Sequence, residues 1–480
     1  MNAPDGTAAA PDAPAAGLPP RPVERWLTPV RRFLHVESAS GVVLLACTAA
    51  ALALANSPLA GWFAAIWKTR VELALGDFRL AGDLGHLVIN DGLMAIFFFV
   101  VGLEIKREVV AGELREVRKA LLPVAAALGG MAVPAGVYLA LQWGQPGRRG
   151  WAIPMATDIA FVVGLLALFG PRVPLALKIM LLSLAVVDDL GAVLVIALVF
   201  TGSLAWGWLA AAGAGLALTY GLNRAGVRAV GAYALVGTGI WVAVYKSGVH
   251  PTVAGVLLGL LTPAGAWVGD TTFLAVAGGL WDRIRGHAPK ADGWHADLDR
   301  LQFAAREAVP PLHRLEAALH PWVAFAVMPV FALANAGVPL EASGLGDPVA
   351  VAVAAGLAVG KPVGIVLFCW VSVRVGLTAL PDGVSWPLLG GGACLAGIGF
   401  TMALFVNGLT FPAADFPAQE AAGKVGTLLG SLVSAALGAG ILLLVLRSRR
   451  AGGSPAQSWA GSPVSAAIAR RAERAVLVEE

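Results

Sequence analysis

Four ionisable side chains stand among residues that are almost all Leu, Val, Ile, Ala or Gly. Asp188 and Asp189 interrupt LSLAVVDDLGAVLVIAL (182–198), Asp158 follows Pro154 and Thr157 in PMATDIAF (154–161), and Lys361 precedes Pro362 in AVGKPVGIVLF (358–368). A carboxylate at the centre of a bilayer costs about 2.5–3.5 kcal/mol on insertion scales, and two fixed negative charges side by side cost more. The pair is tolerable if one carboxyl keeps a proton or if a cation lies between the two. Either escape is a chemistry of transport. The plain structural alternative is that the aspartates are held by a buried base.

Proline removes a backbone donor and blocks the carbonyl four residues before it. In lipid, groups freed in this way persist only where they line a cavity or meet protein partners. The Pro154 segment therefore reads as an interrupted helix presenting carbonyls, the Thr157 hydroxyl and the Asp158 carboxylate to a small ion, against an ordinary proline kink. Lys361 must find a carboxylate or lose its proton, and Asp158, Asp188 and Asp189 are the obvious mid-depth partners. GGGACLAGIGFTMALF places Gly390, Gly391, Gly392, Gly397 and Gly399 ahead of Thr401. Close helix packing explains such a run, and so does a second broken helix crossing the first. VGLEIKREV ends another apolar run with Glu104, Lys106, Arg107 and Glu108, either an ordinary charged helix end or a vestibule that attracts cations and senses pH. Asp91 lies near the other end of that run.

The elements that must position these groups are set by composition. The chain of 480 residues is 58% hydrophobic and 13% charged, with mean hydropathy +0.76, where a soluble chain carries about a quarter charged residues. Apolar runs long enough to cross about 30 Å of hydrocarbon recur throughout. The expected fold is an all-α polytopic membrane protein of about twelve spans: 40–56, 85–105, 121–142, 150–170, 174–200, 204–222, 229–246, 249–263, 317–337, 348–373, 385–410 and 424–446. The first and eighth are short for a full crossing. WKTRVELALGDFRL (67–80) alternates around Gly76–Asp77 and reads as an external β-hairpin. Spans three to five and ten to twelve each have a Gly/Pro-interrupted member in second place, the pattern of an inverted-topology repeat.

With the N-terminus inside, 26 Lys and Arg fall on the cytoplasmic side and 7 outside, leaving Lys361 within a span. Without leader and tail the ratio is 16 to 7, so the positive-inside rule puts both termini in the cytoplasm. Residues 1–35 form an Ala/Pro-rich leader without signal-peptide features, 36–448 the membrane domain, and 449–480 a tail whose SAAIARRAERAVLVEE end suits a short surface helix. The long loop 264–316 holds TTFLAVAGGLW, too short to span and suited to the interface. Cys47, Cys369 and Cys394 lie in apolar spans, which suggests packed thiols. The seven histidines are scattered, and no Walker loop is present. The net charge of +4 is not a nucleic-acid signal, and no cofactor is expected.

ATDIAF, RVPLALKI, VVDDLGA, KSGVHPTVAGV, LHPWVAF, FALANAGV, GKPVGI and GIGFTMALF, in this order, resemble the NhaA family of bacterial sodium/proton antiporters over roughly residues 36–448. The resemblance implies twelve helices, two of them crossed and unwound, with alternating access across the inner membrane. It makes Asp188 and Asp189 the paired Na⁺-binding carboxylates, places Asp158 and Thr157 at the unwound site, and gives Lys361 the task of pairing with the first aspartate or offsetting helix termini. Glu104, Arg107, Glu108 and Glu316 match the family's pH-response cluster. Dimerisation through the external hairpin, here 57–82, is implied too. Part of the 264–312 loop looks like an insertion.

The expected function is exchange of Na⁺ or Li⁺ for H⁺, electrogenic if more than one proton moves per sodium. A sodium-coupled organic anion symporter would need more cationic groups than three mid-depth acids and one base supply. A passive cation channel is disfavoured because buried paired carboxylates bind before they conduct. Gly344–Asp347 spells the GxGD of intramembrane aspartyl proteases, but Pro348 follows it and no Tyr-Asp dipeptide occurs anywhere in the chain.

Overall fold

Lipid offers no water to backbone N–H and C=O groups, so an apolar run must close its hydrogen bonds within itself. Helices duly occupy every one of the twelve expected spans. The computed structural model describes residues 37–76, 78–227, 230–286, 293–339 and 346–451. The leader, the tail beyond Ala451, and Gly344 and Leu345 of the GxGD run lie outside them.

The elements run α1 (Glu37–Ala55), α2 (Ala60–Trp67), β1 (Arg70–Leu75), β2 (Phe78–Asp83), α3 (Leu84–Val110), α4 (Val117–Leu141), a 3₁₀ segment Pro146–Met155, α5 (Ile159–Leu168), α6 (Leu175–Val199), α7 (Trp206–Arg224), α8 (Val230–Ser247) and α9 (Thr252–Leu261). They continue with α10 (Asp270–Gly286), α11 (Trp294–Ala308), α12 (Pro311–Asn335), α13 (Pro348–Arg374), α14 (Trp386–Ala396), α15 (Phe400–Thr410) and α16 (Pro417–Ala451). Among the described residues α3, α4, α6, α12, α13 and α16 are each long and apolar enough to cross a membrane, and up to nine crossings result if each of three bent pairs counts as one. The remaining expected spans, α7, α8 and α9, are helices that fall short on length or mean hydropathy. The hairpin forms as expected, β1 and β2 pairing antiparallel from Arg70–Asp83 to Leu75–Phe78, with Gly76 at φ +59° in the turn.

Two of the bent pairs matter for the site. The 3₁₀ segment and α5 are bent by 46°, and so are α14 and α15. The first break is extended at Ala156 and Asp158, where ψ is 147° and 97°. The second runs through Gly397–Gly399. The breaks meet: the Asp158 amide donates to the Ile398 carbonyl at 2.7 Å. Glycine is required there for space. A Cβ on Gly397 would stand 2.5 Å from the Leu357 carbonyl oxygen, and one on Gly399 2.9 Å from that of Ala156.

Proline also accompanies two irregular turns. π-helical stretches cover Val323–Val327 in α12 and Gly356–Gly360 in α13, and each ends two residues before a proline, Pro329 and Pro362. A ring that blocks the carbonyl four residues back is accommodated by a widened turn. In α13 that turn delivers Lys361.

Several helix seams are close, two of them especially so. A Cβ on Gly129 of α4 would be 2.2 Å from the Gly364 carbonyl oxygen of α13, and one on Gly255 of α9 2.2 Å from that of Ala95 on α3. Backbone lies directly on backbone in both, as small residues permit.

Candidate ion site at the crossed breaks

The four mid-span groups converge. Asp158, Asp188 and Asp189 are each 1% exposed and Lys361 is fully buried. α6 passes the crossing without a break and brings Asp188 and Asp189 to it, while the widened turn of α13 brings Lys361. The ammonium of Lys361 donates to Asp188 Oδ2 at 2.6 Å and to the Met155 carbonyl. The Thr157 hydroxyl lies 2.7 Å from the same Asp188 oxygen and 3.0 Å from the Ala396 carbonyl. Among the described residues, Asp188 Oδ1 and Asp189 Oδ1 are buried with no hydrogen-bond partner.

Asp158 has a different environment. Its Oδ1 caps α5, accepting from the Phe161 amide at 3.3 Å, and its Oδ2 accepts from the Thr401 amide at 3.1 Å and from the Thr401 hydroxyl. One carboxylate therefore faces the N-termini of both half-helices, α5 and α15, where partial positive charge collects. Lys361 does the converse, its ammonium meeting the carbonyl of Met155 at the C-terminal end of the 3₁₀ segment. Broken helices leave four charged ends at mid-depth, and Asp158 and Lys361 answer three of them.

Thr401 was not singled out by sequence reasoning, although GIGFTMALF contains it. Nothing in residue type marks a threonine whose amide and hydroxyl both point at a carboxylate across the crossing. The carbonyls of Met155, Ala396 and Ile398 have no sequence signature at all.

The edge cluster is partly assembled. Arg107 bridges Glu316 of α12 and, at 3.6 Å, Glu108, with Glu104 one turn away along α3. Lys106 turns elsewhere and donates to the Leu260 carbonyl at 2.7 Å. Asp91 is buried, with Oδ1 3.5 Å from His250 Nε2, a contact the sequence did not suggest. Asp347 is used as a helix cap, accepting from the Val349 amide at 2.8 Å, which is a structural role and not that of a protease aspartate.

Apolar helices that cross a membrane, two of them broken and meeting at buried carboxylates, define a secondary active transporter of small cations. A family model described as Na⁺/H⁺ antiporter 1 matches residues 31–442. The Na(+)/H(+) antiporter NhaA of Rhodopirellula baltica is 50% identical over 435 residues, 89% of this chain and 97% of the relative. Na(+)/H(+) antiporter NhaA 2 of Sorangium cellulosum is 50% identical over 450 residues (92% and 95%), and the NhaA of Rhizobium meliloti 47% over 439 (90% and 98%). The chain belongs to the NhaA family of Na⁺/H⁺ antiporters. It is a multi-pass transporter of the bacterial inner membrane, not an enzyme.

Proposed function

We propose that Na⁺, or Li⁺, and H⁺ compete for Asp188 and Asp189, and that this competition drives exchange. The observation that carries the reading is the pair of orphaned oxygens, Asp188 Oδ1 and Asp189 Oδ1, beside a lysine that holds the other oxygen of Asp188. A buried acceptor without a donor is costly. A proton on one aspartate, or a hard cation shared by both, removes that cost, and oxygen ligands suit such a cation. Thr157 and carbonyls freed at the breaks complete the sodium shell, and Asp158 holds the two half-helices in register around it.

Sodium arrival sets Lys361 free from Asp188, and protonation of the aspartates sends the metal ion away. Exposure of the site to one side at a time turns competition into antiport without both ions bound together. With more than one proton per sodium, net charge crosses, worth about 2.3 kcal/mol per 100 mV for each elementary charge. The Glu104, Arg107, Glu108 and Glu316 cluster adjusts activity with pH, the hairpin within 57–82 joins two copies into a dimer, and both termini face the cytoplasm.

The experiment is Na⁺-driven collapse of a pH gradient in proteoliposomes at several pH values, with and without a valinomycin clamp and with no organic solute. Collapse that responds to the clamp is expected. A gradient that survives sodium addition overturns the exchange reading, and indifference to the clamp overturns the electrogenic part.

A further inference from the structure

The helix pair α10–α11 stands apart from the transport core. Its foot is fastened: the amides of Trp267 and Val268 donate to the Glu307 carbonyl at 3.1 and 3.2 Å, the Leu312 amide donates to the Pro263 carbonyl at 3.2 Å, and Arg314 meets Glu307 at 3.4 Å. These contacts tie the pair to the end of α9 and the start of α12, two membrane helices. α10 packs on α11 through one face, where Leu280 and Ala304 are buried.

A second face of α10, turned about a third of a turn from Leu280 at 3.6 residues per turn, is also apolar. Leu274, Ala277, Gly278 and Trp281 follow the i, i+3, i+4, i+7 spacing of a helical stripe. Leu274 is 69% exposed and Trp281 54%, and Trp267 at the foot is 65% exposed. A helix of this length, about 25 Å at 1.5 Å per residue, with apolar residues on two faces cannot stand in water as cheaply as one with a single buried stripe. Tryptophan favours the headgroup level.

We propose that α10 lies on the membrane leaflet that its foot adjoins, with the Leu274–Trp281 face buried among lipid headgroups and upper acyl chains. The occupant is lipid because the foot contacts hold the pair at the ends of two membrane helices, within reach of the bilayer surface. The attraction is apolar and not electrostatic. Residues 264–316 carry 6 Lys and Arg against 7 Asp and Glu, which gives no excess of positive charge for anionic headgroups, and amphipathic binding then scales with apolar area. This inference does not depend on the ion chemistry proposed above.

The test uses the full chain in lipid nanodiscs, with Cys47→Ala, Cys369→Ala and Cys394→Ala and one reporter cysteine carrying an environment-sensitive fluorophore. Leu274→Cys and Trp281→Cys probe the stripe at two positions, and Gln302→Cys on the exposed side of α11 is the control. Headgroup-depth nitroxide lipids should quench both stripe positions several-fold more than 302, aqueous iodide should do the reverse, and neutral and anionic lipids should behave alike. Iodide reaching either stripe position as readily as 302 overturns the proposal. So does quenching confined to anionic lipid. Protection that vanishes when the chain is ended at Ala451 also overturns it, by showing that residues 452–480 cover the face.

Discussion

At the residue scale, the burial of Asp188, Asp189, Asp158 and Lys361 was legible because charge in an apolar run has few explanations. Their pairing was not, since sequence cannot say which of three acids meets one base. The answer is Asp188, whose Oδ2 takes the ammonium. Asp189→Asn removes one of the two negative charges offered to sodium, and with it a proton site, while keeping the side chain's size, so exchange in everted vesicles should be abolished. Full activity in that variant would remove the two-carboxylate mechanism. Lys361→Met leaves Asp188 buried without its counter-charge, a loss of about 3–5 kcal/mol for a broken buried pair. The sign with pH follows. At acid pH the orphaned carboxyl escapes by taking a proton, whereas at alkaline pH it must stay charged or take one against the solvent. The drop in thermal unfolding temperature should therefore be larger at high pH than at low pH, and an equal drop at both would count against a charged pair.

At the element scale, Pro154 and the glycines of 390–399 announced two interruptions, and both occur where they were expected. What the residues did not disclose was the fit between them. Gly399 looks like any packing glycine until its neighbour across the crossing is known to be the Ala156 carbonyl. Gly399→Val drives a side chain into that carbonyl and into Leu357, whose Cδ2 is already 2.8 Å from where a Cβ would be. Overpacking of this kind costs about 1–3 kcal/mol. The variant should still insert and fold, judged by size-exclusion profile, while Na⁺-driven exchange falls by at least tenfold. The π turns were likewise unseen: proline says that a helix is disturbed, not whether it kinks or widens. Helix α10 was read only as an interfacial stretch and α11 only as loop, because helix propensity in a charged loop does not reveal that two helices pair.

At the scale of the whole molecule, competition has a signature that needs no mutant. Each proton that must leave before sodium binds weakens sodium tenfold for every unit of acidification through the coupled titration of the group. Isothermal titration of the purified protein should give a sodium affinity that falls steeply on acidification, and a flat profile would mean that the two ions do not share a site. The glycine contacts bear on how the site changes sides. Where main chain rests on main chain, as at Gly129–Gly364 and Gly255–Ala95, neighbouring helices have no side-chain cushion over which to slide. α4 with α13, and α3 with α9, are welded into two plates, and any rocking must be taken up along the boundary between the plates. A covalent staple within either plate should leave turnover untouched, while one spanning α3 and α4 should freeze it; arrest by a staple inside a plate would mean that the weld itself is what yields.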